Sequence, residues 1–225
     1  MIINGKKKVI FFDIDNTIVN GYTQKKLIIY LYKNGYIHFM SLPLVFFWFF
    51  LYKIGVIKNI EFGLKYLASI FAGWNDCEVY SLMNKFFFAE IKNDLFQDAI
   101  LLINKYKQQG DIIVLISNVI HPIAEQFCRF LHIDFYISTV LDIKNNVYSG
   151  ELKSVVLNGG DKMLAAGKFL HNNFRFKHRP LVHVYSDHYS DFELLNWADI
   201  PIVVNPKKKM LSVSINRKWR ILNFT

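Results

Sequence analysis

Five short runs of the 225-residue chain are almost continuously apolar: 8–13, 112–117, 133–137, 181–186 and 201–204. They are rich in Val, Ile, Phe and Tyr and too short for helices, which predicts strands covered on both faces of a sheet. Between them the apolar positions change to helical spacing. The segment 96–109 (FQDAILLINKYKQQ, closed by Gly110) predicts one helix, and 121–131 and 162–172 predict two more. Strands alternating with helices define an α/β class with a parallel sheet flanked by helices. The stretch 139–152 reads as a hairpin turning at Asn145-Asn146, a side excursion from that sheet.

Residues 22–95 have a different texture. No strand pattern occurs there, and Phe, Tyr, Leu and Lys recur at helical spacing, so this segment reads as a helical insertion between the first two strands and a lid over whatever lies below. The expected organisation is a core of 1–21 and 96–225 with an inserted cap of 22–95. Within the insertion, Phe39 to Tyr52 is apolar apart from Ser41 and Pro43, and Lys53 closes the run. A bilayer-spanning helix needs roughly 20 such residues, so this run falls short. Three readings stay open. It is a buried lid helix, or an interfacial segment with Trp48 and Tyr52 at headgroup level and Lys53 and Lys58 on anionic lipid, or the lining of an apolar pocket.

Charge narrows the choice of partner. The net charge of +9 favours anions such as phosphate esters or an acidic membrane surface. The dense clusters, Lys6-Lys7-Lys8 and Lys207-Lys208-Lys209, fall at element ends and read as solvated surface. No helix gathers the charge with interleaved reading residues, so nucleic acid is not an expected partner. Cys77 and Cys128 have no metal or redox spacing, and the first residues lack the order of a signal peptide. A cytoplasmic protein follows, with membrane association through 39–52 under the interfacial reading.

Chemistry collects at strand ends. In open α/β sheets the ligand site lies beyond the carboxyl ends of the strands. The first strand ends in Asp13 and leads to Asp15 and Thr17. The second ends in Ser117-Asn118, and 181–186 ends in Asp187, with Asp191 four residues on. Lys162 opens a helix behind Gly159-Gly160. Singly, each has a plain structural reading: a solvated loop for Asp13 and Asp15, a helix N-cap for Ser117-Asn118, a surface lysine, and caps of the helix FELLNWA for Asp187 and Asp191. Together they place four acids, a lysine and a hydroxyl on one rim. Hard oxygen ligands suit Mg²⁺, and a carboxylate can attack phosphorus while a second acid moves the proton. His121, His183 and His188 lack metal-ligand spacing and read as core, cap or supporting residues.

The succession DIDNT, then ISN after an apolar strand, then GGDK, then YSDHYSD resembles the four motifs of the haloacid dehalogenase-like phosphohydrolases. The early insertion, the hairpin and the C-terminal VVNPKKKMLSVSINRKWRILNF resemble its phosphoserine-phosphatase-like branch, subfamily IB. The resemblance implies a Rossmann-like core with a C1-type helical cap, and a Mg²⁺-dependent phosphatase working through an aspartyl-phosphate. It implies Asp13 as nucleophile and metal ligand, and Asp15 as general acid/base giving its backbone carbonyl to the metal. Thr17 is expected to support the first loop and contact phosphate, and Ser117 and the Asn118 amide to hold the phosphoryl group. Lys162 would neutralise charge, Asp187 would ligate Mg²⁺, and Asp191 would serve the metal through a water or hold Lys162. In phosphoserine phosphatases a Glu shortly after the first motif binds the substrate amine. Here 18–30 contains no acid, and Tyr22 stands about where that Glu would be, which disfavours phosphoserine. A lipid-linked or small organic phosphate is the expected substrate. The alternatives are a phosphotransferase using the same intermediate, and a non-catalytic membrane-surface module with the same fold.

Overall fold

The computed structural model describes residues 2–3, 8–37, 61–176 and 179–225. Among the described residues the strands are β1 (Ile2–Ile3), β2 (Lys8–Phe12), β3 (Ile112–Ile120), β4 (Phe135–Thr139), β5 (Leu141–Lys144), β6 (Val147–Leu152), β7 (Arg175–Phe176), β8 (Leu181–Ser186), β9 (Ile200–Val204) and β10 (Arg220–Leu222). Six of them form one sheet in the order β10-β9-β8-β2-β3-β4, parallel throughout. The described helices are α1 (Thr23–Lys33), α2 (Glu61–Ile70), α3 (Asp76–Phe86), α4 (Gln97–Gln108), α5 (His121–Leu131), α6 (Gly160–Asn173), α7 (Phe192–Trp197) and α8 (Lys208–Arg217). The fold is Rossmann-like, with β2 near the centre of the sheet.

The unbroken apolar strands follow from coverage on both sides. Val9 and Phe11 join Val114, Ile116, Val182 and Val184 on one face, packed against Ala166, Leu194, Leu195 and Met210. Ile10, Phe12 and Leu115 point to the other face, where Ile103 and Phe127 cover them. Each strand keeps its two-residue alternation, but both faces are dry.

Residues from the insertion share that second cluster: Leu27, Leu64, Leu67, Phe71, Val79 and Phe86 belong to the same buried body as Ile10 and Phe12. Its helix α3 starts with a capping box between Asn75 and Glu78. A π-helical turn (Phe87–Ile91) and a 3₁₀ turn (Lys92–Asp94) lead out of it. The two ends of the insertion are tied together, with Asn20 N donating to Asp94 O at 2.8 Å and Phe96 N to Ile18 O at 2.9 Å.

The antiparallel hairpin β5–β6 turns where expected. Asn145 and Asn146 both adopt left-handed backbone, at φ 52° and 63°, as a two-residue primed turn requires. It is separate from the main sheet but not isolated. Gly73 N donates to Tyr148 O and Tyr148 N to Trp74 O, both at 2.9 Å, and Asp76 N reaches Asn146 O at 3.0 Å. The excursion is therefore a bracket that pairs with the insertion's backbone.

Three sequence expectations change. Strand β3 does not end at Ser117; it runs to Ile120, with irregular pairing to β4 between Ile116 and Ile120. The reason is that Val119 and Ile120 are as apolar and as buried as the residues before them. Helix α5 then begins with Pro122 in its first turn and Ile120 as N-cap, so Ser117-Asn118 caps nothing. The β1–β7 pair, β10 and α8 also had no counterpart in the strand and helix pattern. Lys207, Lys208 and Lys209 crowd the start of α8 with no acid in its first turn. Cations there oppose the helix dipole, by about 0.3–1 kcal/mol each. The apolar run 39–52, with its three readings, lies outside the described residues. Among the described residues, no helix is long and apolar enough to cross a membrane.

Gly150 joins the bracket to the insertion. Its φ is +86°, and a Cβ there would stand 2.8 Å from the Ala72 Cβ. Gly150→Ala is expected to destabilise the fold by about 2–4 kcal/mol through backbone strain and overpacking. Chemical denaturation checks this; a midpoint equal to wild type would contradict the bracket.

Candidate active site

The register of the sheet brings the strand ends level. Phe12 lies between Leu115 on β3 and Tyr185 on β8, and Asp13 N continues the pairing by donating to Tyr185 O at 2.9 Å. Asp13, Ser117 and Asp187 therefore emerge at one edge, and all three are buried. Into this edge reaches Lys162 from the first turn of α6. The helix is preceded by Gly159 at φ 54°, a backbone position that disfavours other residues.

Lys162 is the centre of the arrangement. Its Nζ donates to Asp13 Oδ1 at 3.0 Å and to Asp191 Oδ2 at 2.7 Å, and its side chain is only 5% exposed. Ser186 Oγ donates to the same Asp191 oxygen at 2.7 Å. Of the two roles expected for Asp191, its contacts are those of holding Lys162.

The loop after β2 folds back on itself. Asn16 takes φ 55°, which Asn tolerates better than most side chains, and its Oδ1 accepts from Gly21 N at 3.2 Å. Asp15 Oδ1 accepts from Thr23 N, at the start of α1, at 3.0 Å. Thr17 is fully buried, and its hydroxyl has no partner among the described residues. Thr17 is as buried as Ser117 and Lys162, so burial alone assigns it neither to the loop nor to a phosphate.

Asn118 is half-buried, and its carbonyl accepts from Gln24 Nε2 at 3.1 Å and Thr139 Oγ1 at 3.0 Å. These bonds steady the backbone that carries Ser117. The histidines do supporting work. His183 meets the Tyr106 hydroxyl at 3.2 Å inside the core, and His188 Nδ1 accepts from Ser190 N at 3.2 Å. His121 Nδ1 accepts from Leu141 N at 3.0 Å.

Sequence reasoning passed over Ser186, Thr23 and Gln24. Ser186 was visible as the residue before Asp187 in YSD. Nothing in the sequence pairs Gln24 with a carbonyl 94 positions away.

The family model of the haloacid dehalogenase-like hydrolases matches residues 10–196. The chain belongs to that family. It is similar to a phosphoserine phosphatase of Mycobacterium tuberculosis, 21% identical over 95% of this chain and 70% of the relative. A protein of unknown function from Bordetella pertussis has the same fold at a TM-score of 0.88 and 17% identity, over 97% of this chain and 99% of that one. A structure described as a phospho-aspartyl intermediate analogue of phosphoserine phosphatase superposes at 0.64 and 19% identity, covering 96% and 93%. The protein is thus a haloacid dehalogenase-like hydrolase.

This hydrolase gathers more buried carboxyl groups at its site than one lysine pairs with. Burial pushes the Asp13 carboxyl up, and Lys162 offsets only part of that. Burial likewise raises Asp15 to about 7, against the opposing pull of the Thr23 amide. Asp187 rises to about 8, from burial first and then the charges of Asp13 and Asp191. For Lys162, burial favours the neutral amine, but Asp13 and Asp191 outweigh it and keep it protonated.

Among the described residues, no three His, Cys, Asp or Glu side chains form a ready metal cluster. The sequence expectation made only Asp13 and Asp187 direct carboxylate ligands, with Asp15 giving its backbone carbonyl and Asp191 acting through a water or Lys162. Asp191 is taken by Lys162 and Ser186, and the Asp15 side chain accepts from the Thr23 amide. Asp13 and Asp187 are left as the acidic donors. That fits Mg²⁺, which takes one or two carboxylates and keeps waters and a substrate oxygen.

Because Asp187 binds its proton more tightly folded than unfolded, its contribution to metal-free stability is greatest at low pH. It is lost as pH rises from about 4 through about 8. In chelator, Asp187→Asn is expected to be more stable than wild type at pH 8 and close to it near pH 4. Thermal unfolding across pH checks this. A variant less stable than wild type at pH 8 would refute the picture of an under-neutralised site.

Proposed function

We propose that this hydrolase cleaves phosphomonoesters with Mg²⁺ by transferring the phosphoryl group to Asp13. The observation that carries the reading is the Lys162 ammonium bridging Asp13 and Asp191 at the carboxyl edge of the sheet. It orients the attacking carboxylate and places a fixed cation where charge accumulates on the phosphoryl oxygens.

An Asp13 oxygen forms a bond to phosphorus as the bond from phosphorus to the alcohol oxygen breaks. Asp15, which keeps its proton up to about pH 7, donates it to the departing oxygen. The resulting Asp15 carboxylate then takes a proton from water as that water attacks phosphorus, which releases phosphate and restores Asp13. Ser117 and the Asn118 amide hold the phosphoryl oxygens during both transfers. Asp13, Asp187 and the Asp15 carbonyl would hold Mg²⁺. Bound there, the ion supplies the positive charge that keeps Asp13 ionised beside an anionic substrate.

The substrate is a small organic or lipid-linked monoester. The relative's name points to phosphoserine for that protein, but the acid-free stretch 18–30 offers no counter-charge to an ammonium here.

With p-nitrophenyl phosphate, chelator should abolish wild-type turnover and Mg²⁺ restore it, while Asp13→Asn should lose activity about a thousandfold or more. A folded Asp13→Asn protein with near-wild-type turnover would overturn the assignment.

A further inference from the structure

The lysine run 207–209 reads as solvated surface in the sequence, yet one of its members has a specific partner beside the first residue of α1. Lys207 follows β9 and sits at the N-cap of α8, and its ammonium contacts the hydroxyl of Tyr22. It also stands 4.8 Å from the centre of the Tyr22 ring. The two residues are 185 positions apart in the chain.

Tyr22 is not an arbitrary surface residue. It immediately precedes Thr23, whose amide donates to Asp15 Oδ1 at 3.0 Å, and Asp15 is the group assigned to protonate the departing alcohol. The Lys207–Tyr22 pair is thus one chain position from the amide that binds Asp15. Lys209 lies 3.6 Å over the ring of Tyr189, in the same loop as Asp187. Two cations thus line the rim, and 18–30 contains no acid to balance them.

Structural need does not explain the pair. Tyr22 is 47% exposed and Lys207 is exposed, so their contact buries little. The lysines also oppose the dipole of the helix they begin. An exposed ammonium close to a phosphoryl-transfer site has an evident use in binding a second anion.

Resting on the phosphatase reading above, we propose that Lys207, presented on Tyr22, forms a subsite for an anionic group on the leaving alcohol. The substrate is then a phosphomonoester whose alcohol carries a carboxylate or a further phosphate. An alcohol bearing only an ammonium is selected against by the same charge.

The test compares kcat/KM, with Mg²⁺, for phosphoglycerate, glycerol bisphosphate, glycerol phosphate and phosphoethanolamine. Wild type should prefer at least one of the first two over phosphoethanolamine by about tenfold or more, the effect expected of one well-placed charge. Which of the two is preferred identifies the anion as carboxylate or phosphate, and either supports the subsite. Lys207→Glu should reverse the preference, and Tyr22→Phe should weaken it. Lys208→Glu makes the same charge change one residue away and should move the ratio less than about twofold. Turnover without charge preference in wild type, or an equal shift in Lys208→Glu, overturns the subsite and leaves the phosphatase reading intact. No turnover of these esters or of p-nitrophenyl phosphate overturns the phosphatase reading itself.

Discussion

One buried ammonium organises the molecule. Lys162 joins Asp13, at the end of β2, to Asp191, which lies 29 positions further along the chain than the lysine. All three are almost wholly removed from water. Burying such charges is costly unless they are paired, and deleting one partner leaves the other stranded, at about 3–5 kcal/mol. The surrounding geometry serves the pairing: Gly159 sets the start of α6, Ser186 fixes Asp191, and the parallel register delivers Asp13 to the edge. The pairing is also incomplete. Asp15 and Asp187 add carboxyls that the lysine does not neutralise, so the site favours an arriving cation and stores a local instability for function.

The insertion is joined to this site by more than its two connecting chains. Leu64, Leu67 and Phe71 belong to the same apolar cluster as Ile10 and Phe12, and the β5–β6 bracket pairs with backbone at 73–76. At its start, Thr23 binds the Asp15 carboxylate and Gln24 binds the Asn118 carbonyl. Two consecutive residues of α1 thus touch Asp15, the proposed acid/base, and the 117–118 backbone proposed to hold the phosphoryl group. Recognition of the leaving group and placement of the catalytic groups share one helix terminus.

Much of this was legible before any coordinates. The strands could be read because both faces of the sheet are covered, so Val9 to Phe12 stay apolar without interruption. The acids could be read because carboxylates that close such strands need partners, and the order of the four motifs supplied them. What escaped has physical causes. Ile2–Ile3 and Arg220–Leu222 are too short to show a period. The strand β3 passes through Ser117 and Asn118 because Val119 and Ile120 are buried beyond them. Lys207 looked like solvated surface because charge in a run is usually that, and only the fold reveals Tyr22 beside it. Contacts across nearly the whole chain leave no local trace.

The central claim is that Asp13, held by Lys162, is the group that receives the phosphoryl. Acid-quenching the enzyme during turnover of a reactive phosphate ester, then mapping its peptides by mass spectrometry, tests this most directly. The account expects one phosphoryl group on the peptide spanning Val9 to Asn20, placed by fragmentation on Asp13 and absent in Asp13→Asn. A phosphoryl group on another residue, or its persistence in that variant, would contradict it.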